Sequence, residues 1–252
     1  MTRAAIRIEN VSKAYGEFVA LAPLDLMIQP GEIFGFLGPN GAGKTTTIRI
    51  LMGILIPSSG RVTVEGLDSI RDRVEIKRRV GYLPDHPGFH DFLRGREILE
   101  FVAQMHGQTQ QQARANARRL LQELQLEEAC EDFAVNYSTG MLKKLGLACA
   151  MVHDPSILIL DEPTNGLDPR AASELQDRIR ASAATGKTIF LSTHLLDMAE
   201  RLCTRVGIIN RGSLVATGTL EQVKARAASA ASLEQAFMDL TAQDDLHASQ
   251  GA

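Results

Sequence analysis

The stretch Gly38-Pro39-Asn40-Gly41-Ala42-Gly43-Lys44-Thr45 decides the fold of this 252-residue chain. It fits the pattern G-x-x-x-x-G-K-[ST] at every fixed position. The apolar run before it, Ile33–Leu37, predicts a buried strand, and the residues from Lys44 to Gly53 predict a helix. Glycines between a strand and a helix let main-chain N–H groups curl around a phosphate, and the helix N-terminus attracts the negative charge. The sequence therefore predicts a nucleoside triphosphate site.

The side chains of this loop have separate roles. We expect Lys44 to reach the β- and γ-phosphates and the Thr45 hydroxyl to bind Mg²⁺. The whole predicted phosphate-binding set is Gly38, Pro39, Asn40, Gly41, Ala42, Gly43, Lys44, Thr45 and Thr46.

An acidic pair follows a second apolar run, Ile157–Leu160. Asp161 would lie at the carboxyl edge of a sheet, where ligands of open α/β sheets bind, and it suits Mg²⁺ coordination. Glu162 suits polarisation of an attacking water, as a general base or an orienting acceptor. Alone, the sequence Asp-Glu-Pro often marks a turn, but the phosphate loop upstream favours the metal and water roles.

Further patterns predict an α/β fold with a parallel sheet and a helical insert. Apolar runs alternate with helical segments, which is typical of a sheet covered on both faces. The segment from Phe92 to Leu126 is rich in Ala, Gln, Arg and Leu, with helical spacing. Its apolar stripe could be a partner surface, but core packing is favoured. The predicted strands are Arg61–Val64, Val80–Leu83, Thr188–Ser192 and the hairpin Val206–Ile209 with Ser213–Ala216; the stripe is Leu120, Leu121, Leu124 and Leu126.

Composition narrows the range of partners. The chain carries 27 basic and 30 acidic residues, a net charge of −3, which gives no case for nucleic acid as the main partner. No apolar run reaches the ~18–20 residues that cross a bilayer. The N-terminus lacks a signal-peptide pattern, so we expect neither a transmembrane segment nor a signal peptide.

Five further segments, in order and spacing, resemble the ATP-binding cassette (ABC) ATPases over roughly residues 4 to 220. The resemblance assigns Tyr15 to adenine stacking, although ordinary strand packing explains it as well. The other matching segments are Tyr82-Leu83-Pro84-Asp85 at the Q-loop, Tyr137-Ser138-Thr139-Gly140-Met141 at the signature, Asn165-Gly166-Leu167-Asp168 at the D-loop, and Ser192-Thr193-His194 at the switch histidine.

The signature segment distinguishes ABC proteins from other enzymes with this phosphate loop. Ser138 and the main chain at Gly140 begin a helix and so form a second anion-binding end. The resemblance implies that this end caps the γ-phosphate held by the opposite subunit, so that two cassettes enclose two ATP molecules. It also implies that His194 contacts the γ-phosphate and that Asp168 belongs to the nucleotide-binding set.

Two positions depart from the family pattern. Asp85 replaces glutamine, which shortens the side chain by one methylene and adds a negative charge; it remains a candidate Mg²⁺ ligand, or else caps the following turn. Thr139 and Met141 stand where Gly and Gln are commonest, and Met141 cannot hydrogen-bond a ribose.

The resemblance implies a P-loop NTPase (RecA-like) core with an N-terminal antiparallel β subdomain and an inserted α-helical signature subdomain. We expect one domain over residues 1–241, the helical insert over about 86–152, and a polar, disordered tail over 242–252. The signature variant and the segment Ser232–Thr241 resemble the type-2 exporter branch, although that segment also fits an ordinary amphipathic closing helix.

The function implied is an ATP-binding and ATP-hydrolysing subunit, with ATP and Mg²⁺ as cofactors, that powers export by a separate integral membrane permease. A second copy of the cassette would complete the dimer, and the permease would hold the chain at the cytoplasmic face of the membrane. One alternative is a soluble ABC ATPase acting on ribosomes or DNA, which the single phosphate loop disfavours. Another is a regulatory cassette with weak hydrolysis, which the retained Glu162 and His194 disfavour.

Overall fold

The computed structural model of the chain describes residues 4–227 and 232–250. These residues form two compact units. The first unit contains the residues up to Ile76 and those from Thr188 onward, and the second unit is Lys77–Lys187.

An antiparallel sheet opens the first unit. Its strands are β1 (Ile6–Tyr15), β2 (Phe18–Ile28), β4 (Ser59–Val64) and β5 (Leu67–Asp68), in the order β2-β1-β4-β5. Inward residues of β1 alternate with exposed ones, as expected where one face of a sheet is covered. This sheet is the N-terminal antiparallel β subdomain that the family resemblance implied.

The first unit also contains a mainly parallel sheet built around the strand that precedes the phosphate loop. β3 (Ile33–Leu37) lies between β8 (Thr188–Thr193) and β9 (Arg205–Asn210) and is parallel to both, and β10 (Ser213–Thr219) is antiparallel to β9. All five residues of β3 are buried because both faces of the strand are covered. Leu37 pairs with Thr193, so β3 and β8 end level with each other at one sheet edge.

In the described part of the chain, five helices accompany these sheets. They are α1 (Lys44–Leu51), α2 (Arg73–Arg79, which runs into the second unit), α7 (Leu196–Leu202), α8 (Leu220–Arg226) and α9 (Leu233–Gln250). The closing helix α9 buries Leu233, Ala236 and Leu240. Those positions make α9 an amphipathic helix packed onto its own unit.

The second unit combines two parallel strands with four helices. β6 (Val80–Leu83) pairs with β7 (Ile157–Asp161), with Leu83 opposite Leu160. The helices are α3 (Gly95–Met105), α4 (Gln110–Glu123), α5 (Thr139–Met151) and α6 (Pro169–Ala184), and a short 3-10 turn covers Ala134–Asn136. The leucine stripe predicted to pack in the core is at most 4 % exposed, which confirms that prediction.

The structure differs from the sequence-based expectation at the C-terminal tail. Residues from 242 were expected to be disordered, yet α9 continues to Gln250; residues 251–252 lie outside the described part. A hydrogen bond from the Asn210 side-chain amide to Asp244 Oδ2, 3.1 Å long, ties this last part of the helix to the end of β9.

The expected helical insert over about 86–152 contains α3, α4 and α5. The compact unit around them is wider, because it also includes β6, β7 and α6. Among the described residues, no helix combines the length and the apolar character that crossing a bilayer requires.

Candidate functional site

The phosphate loop has a main-chain path that only glycine follows without strain. Gly41 and Gly43 have φ angles of 80° and 106°, in the left-handed region. Gly38 has no room for a side chain, since a Cβ atom there would lie 2.4 Å from the carbonyl oxygen of Ile209. The loop is therefore a closely fitted cradle, and this fits the triphosphate group predicted for it.

Lys44 brings a positive charge into this cradle. Its side chain is 5 % exposed, and Nζ donates to the carbonyl oxygens of Gly38 (2.6 Å) and Pro39 (3.1 Å). The far side of the loop is fixed to the β9–β10 turn, where the Gly212 amide donates to the Ala42 carbonyl at 2.9 Å. The ammonium is thus held over the loop, where it favours an anion.

Gly38→Ala should lower the free energy of unfolding by about 1–3 kcal/mol, because the new methyl group overpacks against the Ile209 carbonyl. ATP affinity should fall as well, since the cradle must widen to accept the methyl group. Urea unfolding and nucleotide titration measure the two effects. Gly88→Ala is the matched control, because a Cβ there meets nothing within 4 Å. An unchanged unfolding midpoint for Gly38→Ala would contradict this account of the cradle.

The first unit brings His194 next to the phosphate loop. The Gly38 amide donates to the carbonyl oxygen of Thr193 at 3.3 Å, and His194 follows directly, with an exposed side chain. The Thr193 hydroxyl oxygen accepts from the Leu195 amide at 3.0 Å, which fixes the turn that carries His194. His194 is therefore placed to meet a group bound in the loop.

Tyr15, predicted to stack on adenine, ends β1 in the same unit. Its side chain is 52 % exposed, and Lys13 Nζ lies 4.9 Å from the centre of its ring. An exposed ring is available for stacking, whereas the alternative of ordinary strand packing would bury it. The stacking role stays a prediction.

The acidic pair of the second unit is buried at the carboxyl end of β7. Asp161 is 2 % exposed and Glu162 is 7 % exposed. The main chain of Glu162 has φ 45°, in the left-handed region that residues other than glycine rarely adopt. Such a conformation is kept only where surrounding contacts determine it, and it is common at functional sites.

One of those contacts comes from Lys143, a residue that sequence reasoning missed. Its side chain on α5 is 2 % exposed, and Nζ donates to Glu162 O at 2.7 Å and to Asp85 Oδ1 at 3.1 Å. Asn165 Nδ2 donates to the same Asp85 oxygen at 3.3 Å. Burial lowers the pKa of Lys143, and the Asp85 carboxylate opposes that shift. Asp85, predicted as a Mg²⁺ ligand, thus has one oxygen held by the protein.

The signature segment forms the capped beginning of α5. Ser138 is the N-cap residue, exposed to solvent, and its hydroxyl oxygen accepts from the Met141 amide at 3.3 Å. Gly140 lies beside the D-loop, since a Cβ atom there would be 3.7 Å from Leu167 Cδ2. Capped helix N-termini with exposed main-chain amides favour anions, so this end suits a phosphate.

Asp168 has a structural role that sequence reasoning also missed. Its Oδ1 accepts from the amides of Arg170 and Ala171, both at 3.0 Å, and so caps α6. These main-chain bonds, led by that from Ala171, lower the pKa of Asp168. An aspartate before a proline at the first helical position is a recognisable start signal and could have revealed this role. A direct contact between Asp168 and nucleotide stays a prediction.

The family model described as ABC transporter matches residues 21–165 of this sequence, more than half of the chain. The chain belongs to the ABC transporter family. A daunorubicin resistance ATP-binding protein of Streptomyces coeruleorubidus is 38 % identical over 89 % of this chain and 71 % of its own. A Nod factor export ATP-binding protein of Paraburkholderia xenovorans is 42 % identical, over 86 % of this chain and 72 % of its own.

Solved structures agree with this membership. The structure of an ATP-binding subunit of an ABC transporter superposes with a TM-score of 0.87 and 31 % identity. The match covers 94 % of this chain and 99 % of the other. The P-loop NTPase fold implied by the resemblance is therefore confirmed.

Proposed function

We propose that this chain is the ATP-hydrolysing subunit of an exporter, that it works as a pair of copies, and that it drives a separate membrane permease. The observation that carries this proposal is the presence of two anion-binding ends on one chain. One is the glycine cradle with Lys44, and the other is the capped start of α5 at Ser138.

The two ends explain the need for a second copy. By family resemblance, the cradle of one copy and Ser138 of the other act on the same triphosphate. A twofold pair then contains two such sites, because a symmetric dimer repeats each contact. Removal of the γ-phosphate takes away the charge that both ends share, so the pair opens after hydrolysis.

Hydrolysis itself requires a positioned water and a stabilised phosphate. We assign Glu162 to the water, because its carboxylate can accept a proton from it. We assign His194 and Lys44 to the γ-phosphate, where N–H donors stabilise the charge of the transferred group. Lys44 belongs to the phosphate loop, and His194 lies beside that loop because it follows Thr193, whose carbonyl oxygen accepts from the Gly38 amide.

Mg²⁺ fits the donors that this chain provides. The Thr45 hydroxyl and the Asp161 carboxylate are hard oxygen ligands, and Mg²⁺ takes few protein ligands beside phosphate oxygens and water. The ion would neutralise phosphate charge. Asp85 would contact the ion through a bound water, because one of its oxygens already accepts hydrogen bonds from Lys143 and Asn165.

Export by a membrane partner is supported by an apolar surface on the second unit. Phe92 is 80 % exposed, and the stretch that carries it pairs with the stretch of Phe133 and Val135, since Ala134 N donates to Leu93 O at 2.9 Å. Phe101 and Met105 lie four residues apart on α3 and are 59 % and 73 % exposed. We call Phe92, Phe101, Met105, Phe133 and Val135 the apolar surface.

Contiguous exposed apolar side chains mark protein interaction sites, and we assign the apolar surface to this role. A helix of the permease would bury them and hold the chain at the cytoplasmic face of the membrane. The relatives named above act in Nod factor export and daunorubicin resistance, which favours export as the direction.

Phe92→Ser combined with Phe101→Ser should reduce co-purification of the permease by at least about tenfold, since large apolar anchors carry most of the binding energy at an interface. ATP binding and the unfolding midpoint should not change, because both side chains are exposed. The control is Val74→Ser, at a residue 63 % exposed on α2. Full retention of the permease by the double variant would refute the surface assignment.

A further inference from the structure

Lys143 is a buried cation whose location demands an explanation. Its side chain is 2 % exposed on α5, five residues after Ser138. Removing an ammonium group from water is costly unless charged and hydrogen-bonding partners compensate for the loss. An apolar residue would pack at such a position with less cost. The presence of a lysine at this buried position is therefore explained by the groups that it contacts.

Lys143 donates hydrogen bonds to residues from two different segments of the second unit. Asp85 follows the end of β6, and Glu162 follows the end of β7. Lys143 Nζ reaches both of them, at 3.1 Å and 2.7 Å, and Asn165 closes the group by donating to Asp85. One ammonium thus joins the signature helix, the loop after β6 and the acidic pair.

The contact with Glu162 is made to its main chain. The carbonyl oxygen accepts from Lys143 Nζ at 2.7 Å and from the Asn165 amide at 3.1 Å. These bonds hold the residue at φ 45°, a conformation that is costly for a side-chain-bearing residue. The direction of the Glu162 carboxylate depends on that main-chain conformation. Loss of the lysine would let the main chain relax and would redirect the carboxylate.

We propose that Lys143 is a positioning residue for hydrolysis, which fixes the direction of Glu162 and joins it to Asp85 in one hydrogen-bonded unit. This inference rests on the proposed function, in which Glu162 orients the attacking water. It explains how an aspartate is accommodated at position 85. The Asp85 carboxylate forms an ion pair with Lys143 of the same unit. Its negative charge near the acidic pair is therefore compensated by a positive charge.

The test uses the full-length chain with MgATP and three variants. Lys143→Met removes both the charge and the donor, and a combined Lys143→Met and Asp85→Asn variant also removes the carboxylate left without its cation. Lys144→Met is the control, because this lysine is next on the same helix and pairs with Glu174 at 2.9 Å. The measurements are kcat, KM, ATP affinity, the unfolding midpoint and, in the absence of nucleotide, exchange of the main-chain amides of Glu162, Thr164 and Asn165.

We expect Lys143→Met to lower kcat by about tenfold to a hundredfold, the scale of a misplaced catalytic group, and to change KM and ATP affinity by less than about threefold. The combined variant should regain the unfolding midpoint, because it no longer contains the partly buried Asp85 carboxylate without its cation. It should remain slow, because the bond to Glu162 is still missing. Exchange of these three amides should be faster in both variants, and Lys144→Met should behave as the parent chain.

Recovery of kcat in the combined variant would overturn the proposal, because Lys143 would then only neutralise Asp85. An equal loss of kcat in Lys144→Met would overturn it as well. Failure of the proposed function looks different: Glu162→Gln would then retain full ATP turnover. Normal turnover in Lys143→Met beside an inactive Glu162→Gln would refute the positioning role alone.

Discussion

Glu162→Gln is expected to keep ATP binding while steady-state ATP turnover falls by at least about two orders of magnitude, the scale of losing one positioned catalytic group. The amide has nearly the size and shape of the carboxylate, so the buried position and the main-chain bonds to Lys143 and Asn165 should persist. It cannot accept a proton from the attacking water. Phosphate release, assayed with the permease present, and nucleotide titration measure the two quantities.

The control for this prediction is Glu128→Gln, at an exposed glutamate elsewhere in the second unit. It removes the same charge from the chain and should leave turnover unchanged. If Glu162→Gln hydrolyses ATP at the parent rate, another group activates the water. If it loses ATP binding as well, Glu162 acts in the bound ground state, and its assignment to the chemical step is wrong.

The fold could be predicted from the sequence wherever local signals coincide. The run Ile33–Leu37 is continuously apolar and is followed at once by glycines that end the strand, so the predicted and observed limits of β3 agree. The same holds for β6, which the sequence placed at Val80–Leu83. The strands of a parallel sheet are buried on both faces. A short, continuously apolar run is therefore compatible with few structures other than such a strand.

The site could be predicted where a motif fixes chemistry, and not where contacts join distant segments. Lys143 lies 58 residues from Asp85, and no local pattern states that the two side chains meet. A weak signal exists, since Lys143 shares a helix face with Leu147 and Ala150, which are buried. A lysine on an apolar face implies a buried partner. The identity of that partner required the structure.

The C-terminal tail shows how composition misleads. Residues after Thr241 are polar, which usually indicates a disordered end. In the structure α9 continues through these residues, and Asp244 accepts a hydrogen bond from Asn210, a residue 34 positions earlier. A single long-range contact of this kind leaves no trace in the local sequence.

Mixing two inactive variants should restore ATP hydrolysis, if each site takes its cradle from one copy and Ser138 from the other. Lys44→Ala removes the charge of the cradle, and Ser138→Arg blocks the capped start of α5 with a bulky side chain. Each variant alone should lose at least about a hundredfold in turnover, because both sites of its dimer carry the lesion. In a mixed pair, one site carries both lesions and the other carries neither.

The expected recovery follows from the statistics of pairing. With equal amounts of the two chains, half of the pairs are mixed and each has one of two sites intact, so turnover should return to about one quarter of the parent value. The control mixes Lys44→Ala with a chain that carries both substitutions, where no pair has an intact cradle. A site built within one copy predicts no recovery in either mixture, because every chain is then defective by itself. Recovery confined to the first mixture therefore requires that Ser138 of one copy acts on the nucleotide held by Lys44 of the other.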